Sequence, residues 1–238
     1  MSGHSKWAQI KRQKGIADVK KGAAFTRLAN AITIAAREGG KDVSMNFRLR
    51  LAVEKAREAN MPKDNVERAI KRGVGELADR SIETVTYEGY GPGGVAIVIE
   101  TLTDSRNRTT GELRLVLNKY GGSLASTNSV LWMFERRGFL EVTTGTNKDK
   151  VELTAIDAGA LDVSDNAGTI AVYTEPGALQ KIRDAIAATG ASIIGAELML
   201  VPTTMVTPSP DDHSKIQELL LALEGLQDTI NVASNAEF

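Results

Sequence analysis

Along the first third of the chain, apolar residues recur with helical spacing. Phe25, Leu28, Ala29, Ile32, Ala35 and Ala36 fall at i, i+3, i+4, i+7, i+10 and i+11, one stripe of a helix. Gly39 and Gly40 follow as its stop, since glycine accepts the left-handed backbone on which many helices end. Leu49, Ala52, Val53 and Ala56 make a second stripe that leaves Arg48, Arg50, Lys55 and Arg57 largely off the buried face. Val66, Ala69 and Ile70 begin a third after Pro62, which fits a first helical turn. On that segment Lys71 follows Glu67 by four residues, Arg68, Lys71 and Arg72 point to the outer face, and Gly73 is the expected stop. None of these helices buries its apolar face alone, so a three-helix bundle is the simplest expectation. Residues 1 to about 16 lack periodicity and read as a loosely docked arm.

From Ile82 the texture changes to strand. TVTYEGY and VAIVIETL, rich in β-branched residues, flank a glycine-rich turn at 91–94 and predict a hairpin. A helix over 105–119 follows, with Leu113 and Leu117 on one face, and then a strand near Val130 to Phe134. Residues 138–202 read strand, helix, strand, strand, helix, strand, the order of a ferredoxin-like split βαβ unit. A strand at Thr204 to Thr207, a helix opened by SPDDHSK and a short strand at Asp228 to Val232 complete the chain. These last elements have no sheet of their own, so they are expected to rejoin the first sheet, with 138–202 as an insertion. The expected class is α+β: a helical domain with its arm over 1–80, a central α/β domain over 81–135 plus 203–238, and an inserted ferredoxin-like βαββαβ domain over 136–202.

Charge sharpens this division. The formal net charge is −1, yet residues 1–80 hold 18 of the 29 Lys and Arg against 9 of the 30 Asp and Glu, so that stretch is +9 and the remainder −10. A basic end of this kind suits a polyanionic partner. Cysteine is absent, which excludes disulfides, thiolate nucleophiles and thiolate metal sites. No run of about 18 apolar residues occurs, and the opening residues lack a secretory signal, so the expectation is a soluble cytoplasmic protein with no membrane partner.

The candidate contacts follow from the cations. His4, Lys6, Trp7, Lys11, Arg12, Lys14, Lys20, Lys21 and Arg27 stand with only Asp18 against them, and Trp7 can either stack on a base or fold back on the bundle. Arg68, Lys71 and Arg72 extend the set on the third helix; with the preceding helix it imitates a helix-turn-helix, although residues suited to base edges are few, chiefly Asn65, Arg68 and Arg72. In TDSRNRT, Arg106 and Arg108 serve either a second phosphate contact or a local cap and ion-pair cluster. GYGPGG matches G-x-G-x-x-G through Gly89, Gly91 and Gly94, but a strand follows it where a dinucleotide site needs a helix, so a hairpin tip is expected. Asp211, Asp212 and His213 open a helix and read as caps. With two His, no HExxH and no G-x-S-x-G, no catalytic, cofactor or metal residues are expected. The enzyme alternative would use the glycine turn or carboxylates that the fold brings together.

GHSKW at 3–7, NMPKDNVERAIKRG at 60–73, YEGYGPGGVA at 87–96 and TDSRNRT at 103–109 together resemble the YebC/PmpR family, to which the mitochondrial translational activators of cytochrome c oxidase are similar. The resemblance spans essentially the whole chain and is weakest in the insertion and the tail. It implies a three-domain α+β protein with a helical N-terminal domain, a central domain completed by the C-terminus and an inserted ferredoxin-like domain. It also implies a non-enzymatic regulator of gene expression. DNA-binding transcriptional regulation is the first reading, and a ribosome-associated translation factor acting on ribosomal or messenger RNA is the second.

Overall fold

The structure is a computed structural model that describes residues 21–77, 83–143, 148–166 and 168–238. The first apolar stripe folds as α1 (Lys21–Gly39), and Gly40, at φ 81°, ends it with its N–H on the Ala36 carbonyl at 2.9 Å. Next, α2 (Phe47–Glu58) starts from Asn46, whose side-chain oxygen accepts from Leu49 N at 3.0 Å. The same side chain donates to the Ala35 and Gly40 carbonyls at 2.7 and 2.8 Å, so one buried amide caps α2 and fastens the end of α1. Ile32, Ala36, Leu49 and Ala56 are fully buried between the helices.

The third helix, α3 (Lys63–Gly73), departs from expectation at both ends. Pro62 is its N-cap, one residue before the first turn. Gly73 is helical and buried, and a Cβ there would lie 2.4 Å from the Thr33 carbonyl, so this glycine lets α3 lie against the α1 backbone. The left-handed stop is Gly75, φ 75°, with Glu76 N donating to Lys71 O at 2.9 Å. Glu67 reaches back to Lys63 at 3.8 Å, the residue four before it, instead of forward to Lys71.

Antiparallel β1 (Glu83–Tyr90) and β2 (Ala96–Thr103) form the hairpin, with Gly93 at φ 67° and Gly94 at φ 77° in its tip. Helix α4 (Arg106–Lys119) packs Leu113 and Leu117 inward, and the two-residue β3 (Ser123–Leu124) pairs with the end of β1. The strand expected at Val130 to Phe134 is a 3-10 turn over Leu131–Met133. Its cause is Glu88, whose carboxylate takes the Val130 and Leu131 N–H groups at 2.7 and 2.8 Å and so removes them from any ladder. The strand begins only at Phe134 and runs as β4 (Phe134–Thr143).

From β4 the chain continues through α5 (Lys148–Asp157), β5 (Asp162–Asn166), β6 (Thr169–Thr174), α6 (Leu179–Ala187) and β7 (Ser192–Pro202). These strands make one antiparallel sheet in the order β5-β6-β4-β7, the ferredoxin-like arrangement. Leu140, Val151, Val172, Ile182 and Ile186 are fully buried in it. The strand expected at Thr204 to Thr207 is reduced to a single parallel bridge between Val206 and Ala236, with Val206 N donating to the Asn235 carbonyl at 2.7 Å. Helix α7 (Pro210–Glu224) leads to β8 (Thr229–Ser234), which pairs antiparallel with β2 and gives the order β3-β1-β2-β8.

The chain divides into two compact bodies. One contains α1 to α3 with the β3-β1-β2-β8 sheet, α4 and α7; the other contains β4 to β7 with α5 and α6. Within the first, Ile34 of α1 packs with Leu102 of β2 and Ile230 of β8, so the helices share a core with the sheet.

Candidate nucleic-acid interface

The fold sorts the expected cations into distinct environments. His4, Lys6, Trp7, Lys11, Arg12, Lys14 and Lys20 lie outside the described residues, as does the side chain of Lys21. Arg68 and Lys71 are exposed on α3, opposite the face where Val66 and Ala69 are buried. Lys71 and Arg72 occupy the last turn, where cations complement the helix dipole. Arg72 corrects the expectation of an outward side chain: it is half-buried and turns into a cleft between the helices and the sheet. Arg27, on α1, approaches Glu224 at 4.0 Å.

Arg106 and Arg108 stand in the first turn of α4, where the helix dipole disfavours cations. Acids offset this. Arg106 binds Glu83 through Nε and Nη2, each at 2.5 Å. Arg108 donates to Asp104 at 2.9 Å and to Asp228 at 2.8 Å. Asp228 is buried and also accepts from the Thr109 hydroxyl at 2.6 Å, while its carbonyl accepts from Leu102 N at 2.8 Å. Burial alone would raise the Asp228 carboxyl, but the Thr109 hydroxyl and the Arg108 guanidinium outweigh it and hold the group below the usual range.

Arg72 and Arg108 therefore meet in one cavity of about 130 Å³, lined also by Thr26, Asn30, Asp104 and Asp228. Two guanidinium groups there face two carboxylates, so the cleft is electrically balanced. Asn30 donates to the Gln227 carbonyl across its edge at 3.5 Å. The arrangement joins helices to sheet and offers phosphate much less than the open face of α3 does.

The remaining motifs have structural roles. GYGPGG forms the β1–β2 tip, where Gly93 and Gly94 are exposed. Ser209 caps α7 by accepting from Asp212 N at 3.3 Å while its hydroxyl donates to the Asp212 carboxylate at 2.7 Å. Among the described residues, no three His, Asp or Glu side chains are placed to hold a metal, and no helix is long and apolar enough to cross a membrane.

Sequence reasoning missed two residues that the structure brings together. Glu88, 3 % exposed, accepts from the Asn128, Val130 and Leu131 N–H groups at 2.6, 2.7 and 2.8 Å. Burial pushes its carboxyl up, and these backbone donors pull it lower still, to a net value below the usual range. The loop so fixed presents Trp132, 70 % exposed, with its indole N–H on the Ser129 carbonyl at 3.0 Å. A charged residue inside an alternating strand was the available signal for Glu88. Trp132 had none, because its spacing matches a strand.

A basic helical bundle built onto one sheet, with a ferredoxin-like unit inserted in sequence between β3 and α7, defines an α+β protein. The model described as TACO1/YebC protein N-terminal domain matches residues 5–76, and the model described as TACO1/YebC second and third domain matches residues 82–236, so the chain belongs to the TACO1/YebC family. A probable transcriptional regulatory protein of Thermotoga maritima is 48 % identical over 239 residues, covering 100 % of this chain and 94 % of that protein. One of the same description from Caldanaerobacter subterraneus subsp. tengcongensis is 44 % identical, covering 100 % and 98 %. The crystal structure of a conserved hypothetical protein from Aquifex aeolicus superposes with a TM-score of 0.85 at 40 % identity, covering 98 % of this chain and 97 % of the other.

Proposed function

We propose that this protein is a non-enzymatic, cytoplasmic nucleic-acid-binding regulator of gene expression, with transcriptional regulation on DNA as the first reading. The relatives described as probable transcriptional regulatory proteins support the regulatory role. One observation carries the mode of binding. The +9 charge of residues 1–80 includes exposed Arg68 and Lys71, whereas Arg106 and Arg108 are occupied by Glu83, Asp104 and Asp228. Phosphate contact is accordingly assigned to His4, Lys6, Lys11, Arg12, Lys14, Lys20 and Lys21 and to Arg68 and Lys71, with Trp7 as a stacking residue, while Arg27 on α1 is drawn toward Glu224. Arg72, Arg106 and Arg108 contribute to the local field. The division at 80/81, 135/136 and 202/203 belongs to the same proposal, with the basic domain as the docking part.

A second reading is a translation factor on ribosomal or messenger RNA. The inward turn of Arg72 favours it, since it removes one of the few side chains on α3 suited to reading base edges in a duplex. Binding that depends on charge and RNA shape needs no such readers. Competition among many duplexes, run beside sedimentation with ribosomes, separates the two. Preference for one duplex by about 10³ or more supports the operator-binding reading. Discrimination within about a hundredfold, with ribosome association, supports the translational one.

A further inference from the structure

Trp132 stands out as an aromatic side chain that the fold exposes and at the same time immobilises. A side chain of this size normally buries most of its surface. Here 70 % remains open, and among the described residues no other large apolar side chain between 119 and 135 is exposed. The loop that leads to it is polar, with Ser126, Thr127 and Asn128 exposed. The indole does not swing freely, because its N–H is held by the Ser129 carbonyl at 3.0 Å. Tyr90 Oη donates to the same carbonyl at 3.5 Å, so two aromatic side chains share this one anchor.

The support beneath this loop is unusually firm. Glu88 receives three backbone N–H groups from residues 128–131, and Ala125 N donates to the Glu88 carbonyl at 2.8 Å. Tyr90 also leads into the glycine tip, where a Cβ on Gly122 would lie 2.4 Å from the Tyr90 carbonyl, so a second glycine turn lies against the first. Both turns carry exposed left-handed glycines, Gly93 and Gly94 in one and Gly121 in the other. Lys119, at the end of α4, lies 5.0 Å from the Tyr120 ring centroid in the approach to that second turn. Asp212, whose carboxylate is 3.6 Å from a Cβ built on Gly93, makes the tip itself poor for phosphate. The ligand feature that fits is thus a flat, polar-edged ring more than a phosphate.

We infer that Trp132, held by the Ser129 carbonyl to which Tyr90 also donates, is a stacking platform for an unpaired nucleobase of single-stranded RNA or DNA. This rests on the nucleic-acid reading above and adds a second contact, remote in sequence from the basic arm. A pre-oriented indole stacks on any base with little further ordering cost, and the surrounding hydroxyl and amide groups suit the sugar and base edges. Duplex DNA keeps its bases stacked inside, so it gains nothing from the platform. An apolar protein surface would call for further exposed apolar side chains, whereas the loop leading to Trp132 exposes Ser126, Thr127 and Asn128.

The chain holds two tryptophans, so in a Trp7→Phe protein all indole emission comes from Trp132. That protein is titrated with single-stranded RNA and DNA 12-mers and with the matching duplexes, while labelled-oligonucleotide anisotropy follows total binding. Single strands should quench the emission and duplexes should not; quenching by RNA alone or DNA alone identifies the source of the base. In the wild-type background, Trp132→Ala should weaken single-strand binding by about 5- to 150-fold, leave duplex affinity unchanged and leave the melting temperature within about 2 °C, with Trp132→Phe retaining most of the affinity. Single-strand binding without quenching, or equal loss of single-strand and duplex affinity in Trp132→Ala, overturns the platform and leaves the proposed function standing. Failure of the wild-type protein to bind any nucleic acid overturns both.

Discussion

Arg68 and Lys71 on α3 and Arg106 and Arg108 on α4 look alike along the chain, since each pair is a short cationic cluster on a helix with an acid nearby. In the fold they part. The α3 pair stands exposed, Arg68 in mid-helix and Lys71 in the last turn, whereas the α4 pair sits at an N-terminus and is bound by Glu83, Asp104 and Asp228. The decisive partner is remote: Asp228 lies 120 residues from Arg108. A cationic cluster therefore indicates a polyanion partner only after the fold has shown which acids reach it, and helix polarity indicates where acids are needed.

The comparison breaks most visibly at Asp228. Asp228→Ala removes a charged acceptor from both the Thr109 hydroxyl, which keeps the Ser105 carbonyl at 3.1 Å, and Arg108, which keeps Asp104, and should cost about 2–3 kcal/mol, measured by denaturant unfolding. Nucleic-acid affinity per folded molecule should stay unchanged. The native carboxyl is depressed, so its stabilisation is present above the unfolded value near 3.9 and is lost as pH falls through the lower native value. Asp228→Ala should therefore lose less stability than wild type on acidification below about pH 4. An acid limb identical to wild type would show that Asp228 does not carry this stabilisation.

Next in size is the seating of α3. Gly73→Ala usually helps a helix by up to about 1 kcal/mol, but here the added Cβ meets the Thr33 carbonyl and should lower stability by about 1–3 kcal/mol instead. A rise in melting temperature would contradict the close α1–α3 crossing. Reversing Arg68 and Lys71 together to Glu should weaken duplex binding about tenfold and reduce the salt slope by about two, with the melting temperature almost unmoved. A large fall in stability accompanying lost affinity would make these residues structural. The smallest effect belongs to Arg106→Gln, which breaks an exposed pair with Glu83 and should leave both the melting temperature and binding almost unmoved.

The elements were legible where one local rule decided them. Alternation and β-branching gave the hairpin, and the order of elements over 138–202 gave the ferredoxin-like unit, because each signal lies within a few residues. Elements set by distant partners were not legible. Val130 to Met133 has strand composition, yet Glu88 takes its amides from 42 residues away. Gly73 reads as a stop until the α1 backbone is placed against it. Within the candidate interface, the polarity of charge was readable, while the neutralisation of Arg106 and Arg108, the inward turn of Arg72 and the exposure of Trp132 all required tertiary contacts.

The measurement closest to the central claim is duplex affinity as a function of salt, taken on three full-length proteins. These are the wild type, a variant with Lys11, Arg12, Lys14, Arg68 and Lys71 changed to Glu, and Arg106→Gln. With about five phosphates neutralised, a fourfold rise in salt should cost the wild type about two to three decades of affinity. The slope should collapse in the five-site variant and persist in Arg106→Gln. A five-site variant that keeps the wild-type slope, or an Arg106→Gln protein that loses it, would contradict the assignment of phosphate binding to the N-terminal cations.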